Sequence, residues 1–297
     1  MNVSAAEKIA NAVLYEGYML YPYRPSALKN QQRWNFGTLY PNQFDEVRRG
    51  TERSSLHAEC LLRAEPGAKV GVLTRFLQLG EADDSTRWNE PVERKVEFTA
   101  TLGSTGESKA FSFPGGSSAV HGVVRTGFEA LKERVLKLCV DLTNETEVDP
   151  GAARTDALGH SLVSAHLMLQ VQGGEFISQL EPPEPLREMV AKCKNVGCFP
   201  VLVGDEHKRD TMLCSPIILY DFPQIAPESV GDFFDGTEMD EMLTLRVTTL
   251  TENEKNEMQS ADERARQLLL RTEQTAREQL MRTHGVIRSM RAVKSDE

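Results

Sequence analysis

Cys193 and Cys198 are followed by His207 and Cys214, with His160 and His166 upstream. Thiolate and imidazole are the ligands that zinc prefers, and four of them complete a tetrahedral site. The usual zinc pattern repeats a tight pair of ligands, and Cys193-x4-Cys198 is a wider pair that is not repeated. Cys193 also falls on the apolar stripe of a short predicted helix, where a thiol behaves as a small hydrophobe. Cys193, Cys198, His207 and Cys214 therefore stand as weak metal candidates, and no cofactor is expected. His160 and His166 share a face if both lie on one strand, but the sequence identifies no third ligand for them.

Nucleophilic catalysis has less to build on. The chain has no G-x-S-x-G elbow, and "GGSSAVHG" (115–122) reads as turn chemistry between strands. It has neither a G-x-x-x-x-G-K-[ST] phosphate loop nor a G-x-G-x-x-G fingerprint, and "QGGEF" (172–176) has too few glycines to cradle a phosphate. Asp232, Asp235, Glu238, Asp240 and Glu241 cluster in "DFFDGTEMDEM" without the alternating ligands of a calcium loop. That segment reads as a solvated turn or an acidic patch facing a partner. No catalytic residues are assigned, and an enzyme is not the expected class.

The least ordinary stretch is "LYEGYMLYPYRPSALKNQQRWNFGTLYP", Leu14 to Pro41. It holds Tyr15, Tyr18, Tyr21, Tyr23 and Tyr40 of the chain's six tyrosines, together with Trp34, Arg24, Lys29 and Arg33. Aromatic and basic residues in alternation can stack bases and hold phosphates. Three cations on a chain of net charge -10 make a poor nucleic-acid platform, because phosphate neutralisation supplies most of that affinity. Two readings remain. The tyrosines can cover a sheet as a lid, with their hydroxyls partnered at its edge. Alternatively Tyr21, Tyr23, Arg24, Lys29, Arg33 and Trp34 form a partner-binding surface, being the residue types that dominate interface hot spots.

The elements that position these residues are mostly strands. Ser4-x-x-Glu7 is a capping box, and Ala6, Ile9, Ala10, Val13 and Leu14 follow at helical spacing. Residues 1–55 are thus a helix and an aromatic-rich loop. From 56 to about 250 the chain is β-rich, with two subdomains allowed to meet near 150–160. "LHAECLLRAE" and "KVGVLTRFLQL" flank a turn at Pro66–Gly67, and "VERKVEFTATL", "SKAFSFPGG" and "RVLKLCVDLTN" continue the series. "HSLVSAHLMLQVQ", "FPVLVG", "CSPIILYDF" and "MLTLRVTTL" read as further strands. "GAARTDALG" reads as a loop, and Leu186, Met189, Val190 and Cys193 mark a short helix after a proline cluster. Asp221 is placed to anchor the loop after "CSPIILYDF". Thr251-x-x-Glu254 is a second capping box, opening a long terminal helix over 251–297 with acids at its start and arginines at its end. The expected class is α+β, a mainly antiparallel sheet or sandwich between an N-terminal helix and a long C-terminal helix.

At 297 residues, 40% hydrophobic and 26% charged, the composition is that of an ordinary globular protein. No run approaches the ~20 apolar residues of a membrane helix, and no secretory signal is legible at the N-terminus. Five unevenly spaced cysteines suit a reducing compartment, so a cytoplasmic location is expected.

Four stretches carry a resemblance over nearly the whole chain. They are Leu14–Pro41, "NVGCFPVLVG", "SPIILYDFPQIAPESVGDFFDGTEMDEMLTLRVTTLTENEK" and "LMRTHGVIR". The chain resembles an uncharacterised bacterial family associated with gene clusters for uptake-type [NiFe] hydrogenases. The resemblance implies a non-catalytic accessory protein that aids hydrogenase assembly or maturation by binding a subunit or maturation factor. It supplies no catalytic residues. Two alternatives stand beside it: a metal-binding protein or enzyme using the Cys193/Cys198/Cys214 region, and a structural subunit of a larger complex, with a possible oligomer through the terminal helix.

Overall fold

The computed structural model describes residues 4–27, 30, 36–80, 91–103, 106–115, 119–132, 134–225, 234 and 240–274. Eight strands make one antiparallel sheet: β1 (Ser55–Leu79), β2 (Pro91–Thr101), β3 (Ser108–Phe113), β4 (Val120–Ala130), β5 (Val135–Asn144), β6 (Val163–Phe176), β7 (Phe199–Leu202) and β8 (Thr211–Ser215). Their order is β3-β4-β5-β1-β6-β8-β7, with β2 also pairing β1. The sheet is curled into a nearly closed barrel rather than split into two stacked layers.

β1 is the spine. The two strand signals around Pro66–Gly67 belong to one 25-residue strand, not to a hairpin. Its register against β6 slips between Ala64 and Lys69, a bulge, and Gly67 supplies the positive φ of 81° that the bend needs. Before the bulge β1 pairs with β5, and after it with β2, while β6 runs along its other edge. One long bent strand thereby belongs to both halves of the barrel.

Period-2 patterning sorts the two faces. Leu56, Ala58, Cys60 and Leu62 of β1 point inward with Val124, Leu138, Val140, Leu167, Leu169 and Met212 to form the main core. At about 1.5–3 kcal/mol for each large aliphatic side chain removed from water, this interior is the principal source of stability. Outside, helix α1 (Ser4–Tyr15) lays Ala6, Ile9, Ala10 and Val13 over Leu73 and Met168. Under α1, Arg75 is buried and donates to Glu93 at 2.6 Å and to Asn11 at 2.6 Å, so an ion pair joins β1 to β2 and a hydrogen bond ties α1 to both.

Seven α-helices occur among the described residues. α2 (Asp45–Arg48), α3 (Arg154–Gly159) and α4 (Arg187–Val190) are short; α5 (Asp240–Thr248), α6 (Glu252–Ala261) and α7 (Glu263–Gln274) follow the last strand. Several sequence expectations are corrected here. "MLTLRVTTL" lies mostly in helix α5 rather than in a strand, because Leu243 and Val247, four apart, reach the same apolar cluster. "GAARTDALG" contains α3, only Cys214 and Ser215 of "CSPIILYDF" lie in a strand, and β4, which the sequence reading passed over, is an 11-residue strand. No continuous long C-terminal helix forms over the described residues. The chain breaks at Asp262, which is extended (φ -167°, ψ 176°) and caps α7 by accepting from the Ala265 amide at 2.7 Å. The Thr251–Glu254 capping box does form and starts α6. Residues 275–297 lie outside the described residues, as does the Ser4 side chain of the first capping box.

Candidate functional site

The tyrosine-rich stretch grips the C-terminal helices. Tyr15 and Tyr18 pack edge to face at 5.8 Å, and Phe234 closes on both. The Tyr18 hydroxyl donates to the Asp262 carboxylate, the group that caps α7. Arg264 lies 4.0 Å over the Tyr15 ring and donates to its hydroxyl at 2.7 Å. Burial pushes the Tyr15 phenol up, opposed by Arg264. Arg24 pairs with Glu254 at 3.2 Å and Glu257 at 3.6 Å on α6, and the Ser26 amide donates to Glu257. Asn30 holds the loop shut through the amide and carbonyl of Leu20 and the carbonyl of Arg24.

The six partner-binding candidates separate accordingly. Tyr23 is fully buried in the second apolar cluster. Tyr21 is half-buried, against Tyr23 and beneath the Arg246 guanidinium at 5.4 Å. Arg24 is engaged with the two glutamates of α6. Lys29, Arg33 and Trp34 lie outside the described residues, as do Asp232, Asp235 and Glu238 and the side chains of Asp240 and Glu241. Tyr40 joins a separate cluster, stacked on Phe44 at 5.4 Å, and burial pushes its phenol up to about 12.

The metal candidates do not assemble. Cys198 and Cys214 face the barrel interior, joined by Cys60, which the sequence reading did not single out. Hydrogen bonding of the protonated Cys214 thiol with Cys198 and Cys60, together with burial, holds it well above its ordinary range. Cys193 sits outside the barrel against another cluster, and burial pushes it up to about 12. His207 is exposed in the β7–β8 loop, and its amide donates to Asp205. His160 ends α3 while His166 is buried in β6, so these two share no face. Among the described residues no three His, Cys, Asp or Glu side chains converge in a geometry that can hold a metal ion. All five cysteines are free. Cys60, Cys198 and Cys214 are expected to resist a water-soluble thiol reagent at pH 8 in the folded chain and to react fully once it is denatured, as buried thiols do.

Sequence reasoning missed a polar network on the outer face of β1 and β5. The ladder sets His57 opposite Asp141 and Glu59 opposite Cys139. His57 Nδ1 lies 2.7 Å from Asp141, and its Nε2 lies 3.6 Å from Glu59. Glu59 also accepts from the Lys194 amide at 2.6 Å and faces Lys137 Nζ at 3.5 Å. Burial pushes the Glu59 carboxyl up, but the Lys194 amide, Lys137 and His57 together outweigh it and hold it below the usual carboxylate range. The nearby Cys139 thiol is driven up to about 11 by burial and by Glu59. A carboxylate fixed as an anion beside an un-ionised thiol is neither a general acid nor an activated nucleophile. The arrangement instead clamps residues 177–198 onto the barrel: Asn195 accepts from the Glu59 amide, and Gln179 donates to the Glu59 carbonyl. The alternation of "SLHAECLLR" was the available signal, since it sends His57 and Glu59 to the same outward face.

Beside this clamp the surface turns apolar. Asp221 anchors the loop after β8, accepting from the Leu202 amide at 2.8 Å and from Ser178 Oγ at 2.5 Å. That anchor turns Ile217 and Leu219 inward and leaves Ile218 at 77% and Tyr220 at 62% exposure. Phe199, Leu180, Val196 and Ile225 are exposed on the same or adjoining segments. The edge of β7 itself is guarded, because the Phe222 amide donates to the Leu202 carbonyl and Pro200 has no N–H to offer. No protein-family model matches the chain, and no curated protein matches its sequence.

Proposed function

We propose that this chain is an accessory protein that works by docking on another protein, with the ridge around Ile218 and Tyr220 as the contact surface. The observation that carries the proposal is the exposure of several large apolar side chains around one well-anchored loop. Such patches on a globular surface mark interaction sites, and Tyr and Phe are among the residues that concentrate binding energy. The loop is pre-organised by Asp221, which lowers the entropy lost on docking. The hydrogenase setting rests on the resemblance of the four stretches alone. It makes the partner a [NiFe]-hydrogenase subunit or maturation factor, met during assembly.

The test is a deletion strain of the native host complemented with the wild-type chain or with Ile218→Asp/Tyr220→Asp. Hydrogen uptake is expected to fall on deletion, to return with the wild-type chain and to stay low with the double variant, whose purified form keeps the wild-type melting temperature. Normal uptake in the deletion strain removes the hydrogenase assignment.

A further inference from the structure

β2 and β3 are consecutive and joined by a short connection, 102–107, yet they do not pair. Antiparallel strands so closely linked normally form a hairpin ladder. Here the Glu107 carboxylate accepts from the Thr101 amide at 3.0 Å, in the place of a ladder acceptor. Farther along, Lys109 Nζ donates to the Glu97 carbonyl at 3.2 Å, and Arg94 donates to the Pro114 carbonyl at 3.0 Å. Side chains of lysine and arginine thus reach main-chain carbonyls where a ladder would have placed amides, and the two strands stay unpaired. β3 is pinned to the other side instead: Thr126 exchanges bonds with Glu107, and at Gly106 an added Cβ would lie 2.6 Å from the Thr126 carbonyl.

Alternation identifies what faces the seam. The Thr101 amide and Glu97 carbonyl turn the odd-numbered residues of β2 toward it. Since Glu107 bonds β4, the even-numbered residues of β3, Ser108, Ala110 and Ser112, face the seam with Pro114. Among the described residues no main-chain hydrogen bond joins the two rows. The floor is aromatic: Phe98, Phe111 and Phe113 are only partly buried, and Phe111 and Phe113 contact Phe76 at 5.6 and 5.9 Å.

We propose that this seam is an acceptor slot for one extended polypeptide strand of a partner protein, whose backbone pairs with β2 and β3 and whose inward side chains are apolar. Two facing rows of main-chain donors and acceptors over an apolar floor are the groups that strand addition uses. The Lys109–Glu97 and Glu107–Thr101 bridges are exposed, so displacing them costs little, whereas Arg94, half-buried over the Phe113 ring at 5.2 Å and bonded to Gln78, bounds the far end of the slot. This deepens the docking reading, resting on it only for the partner being a protein, and it has its own readout.

The probe is a synthetic peptide copying Val120–Ala130, the strand that already pairs with β3, added to the full chain and followed by amide exchange. Slowed exchange at Thr99, Ala110 and Ser112 is expected, with binding at least about tenfold weaker when alternate peptide nitrogens are methylated, because several ladder bonds are then lost. Ala110→Pro removes a seam-facing N–H while sparing the β3–β4 ladder, and is expected to abolish the protection. The methylated peptide keeps the test valid if that variant misfolds. Absence of protection at millimolar peptide overturns the slot, as does equal binding of the methylated peptide, faster exchange in β4 from strand replacement, or a dimer of the chain itself closing the seam. None of these outcomes touches the Ile218 and Tyr220 ridge, which its own variant judges.

Discussion

Tyr18→Ala is expected to destabilise the protein by about 3–5 kcal/mol, the range for truncating a fully buried aromatic side chain. Tyr18 is 1% exposed, packs edge-on against Tyr15 and Phe234, and donates its hydroxyl to the carboxylate that caps α7. Truncation opens a cavity and leaves a nearly buried Asp262 short of a partner. Tyr18→Phe keeps the ring and removes only a hydrogen bond to a charged group, so about 1.5–3 kcal/mol is expected. Urea unfolding of the two variants separates packing from hydrogen bonding. Limited proteolysis should show α6 and α7 cut first in both, since Asp262, Arg264 and Glu257 attach that hairpin to the lid. Two near-neutral variants would mean that the hairpin is held elsewhere.

Stability is expected to fall as pH drops from about 6.5 to about 4, by on the order of 3 kcal/mol, through His166 alone. Burial lowers this imidazole from 6.5 to about 4 in the folded chain, with Arg75 adding to the effect and the Ser164 carbonyl opposing it. The unfolded chain takes up the proton near 6.5 and the folded one only near 4. Unfolding therefore binds protons across that window, and stability rises with pH until both states are neutral. The charged groups acting on His166 are Arg75, opposite it in the ladder, and Glu93 on β2, which pairs with Arg75. His166→Leu should flatten the curve between pH 6.5 and 4.5. It leaves the loss below the ordinary carboxylate value of 4.5, where Glu59 and Glu93, both held low in the fold, take up protons. An unchanged slope in His166→Leu, read by urea titration at several pH values, would contradict this assignment.

The β-rich character was legible because alternation is strict where one face is buried. β2 and β5 carry inward residues at every second position, and both strands emerge where that pattern stands. Pro66–Gly67 misled because a proline-glycine pair marks a turn locally, while the fold spends it on a bulge that keeps one strand continuous. "MLTLRVTTL" misled because its β-branched residues favour strands, whereas packing selects the helical face of Leu243 and Val247. The break at Asp262 carried a readable N-cap signal, an Asp three residues before Ala265, hidden inside an otherwise continuous helical stripe. At the candidate site the tyrosines were visible by type, but their partners Asp262 and Arg264 lie more than 240 residues away in sequence. The His57–Glu59–Asp141 clamp and the Cys60–Cys198–Cys214 cluster likewise depend on strand register, which composition does not encode.

The most direct test of the docking account is affinity purification of the full chain from its native host, with bound proteins identified by mass spectrometry. The wild-type chain and Tyr18→Phe should retain the same hydrogenase subunit or maturation factor, while Ile218→Asp/Tyr220→Asp, equally folded, should lose it. Recovery of that partner by the double variant at wild-type yield, or of no hydrogenase-related protein by the wild-type chain, would contradict the account.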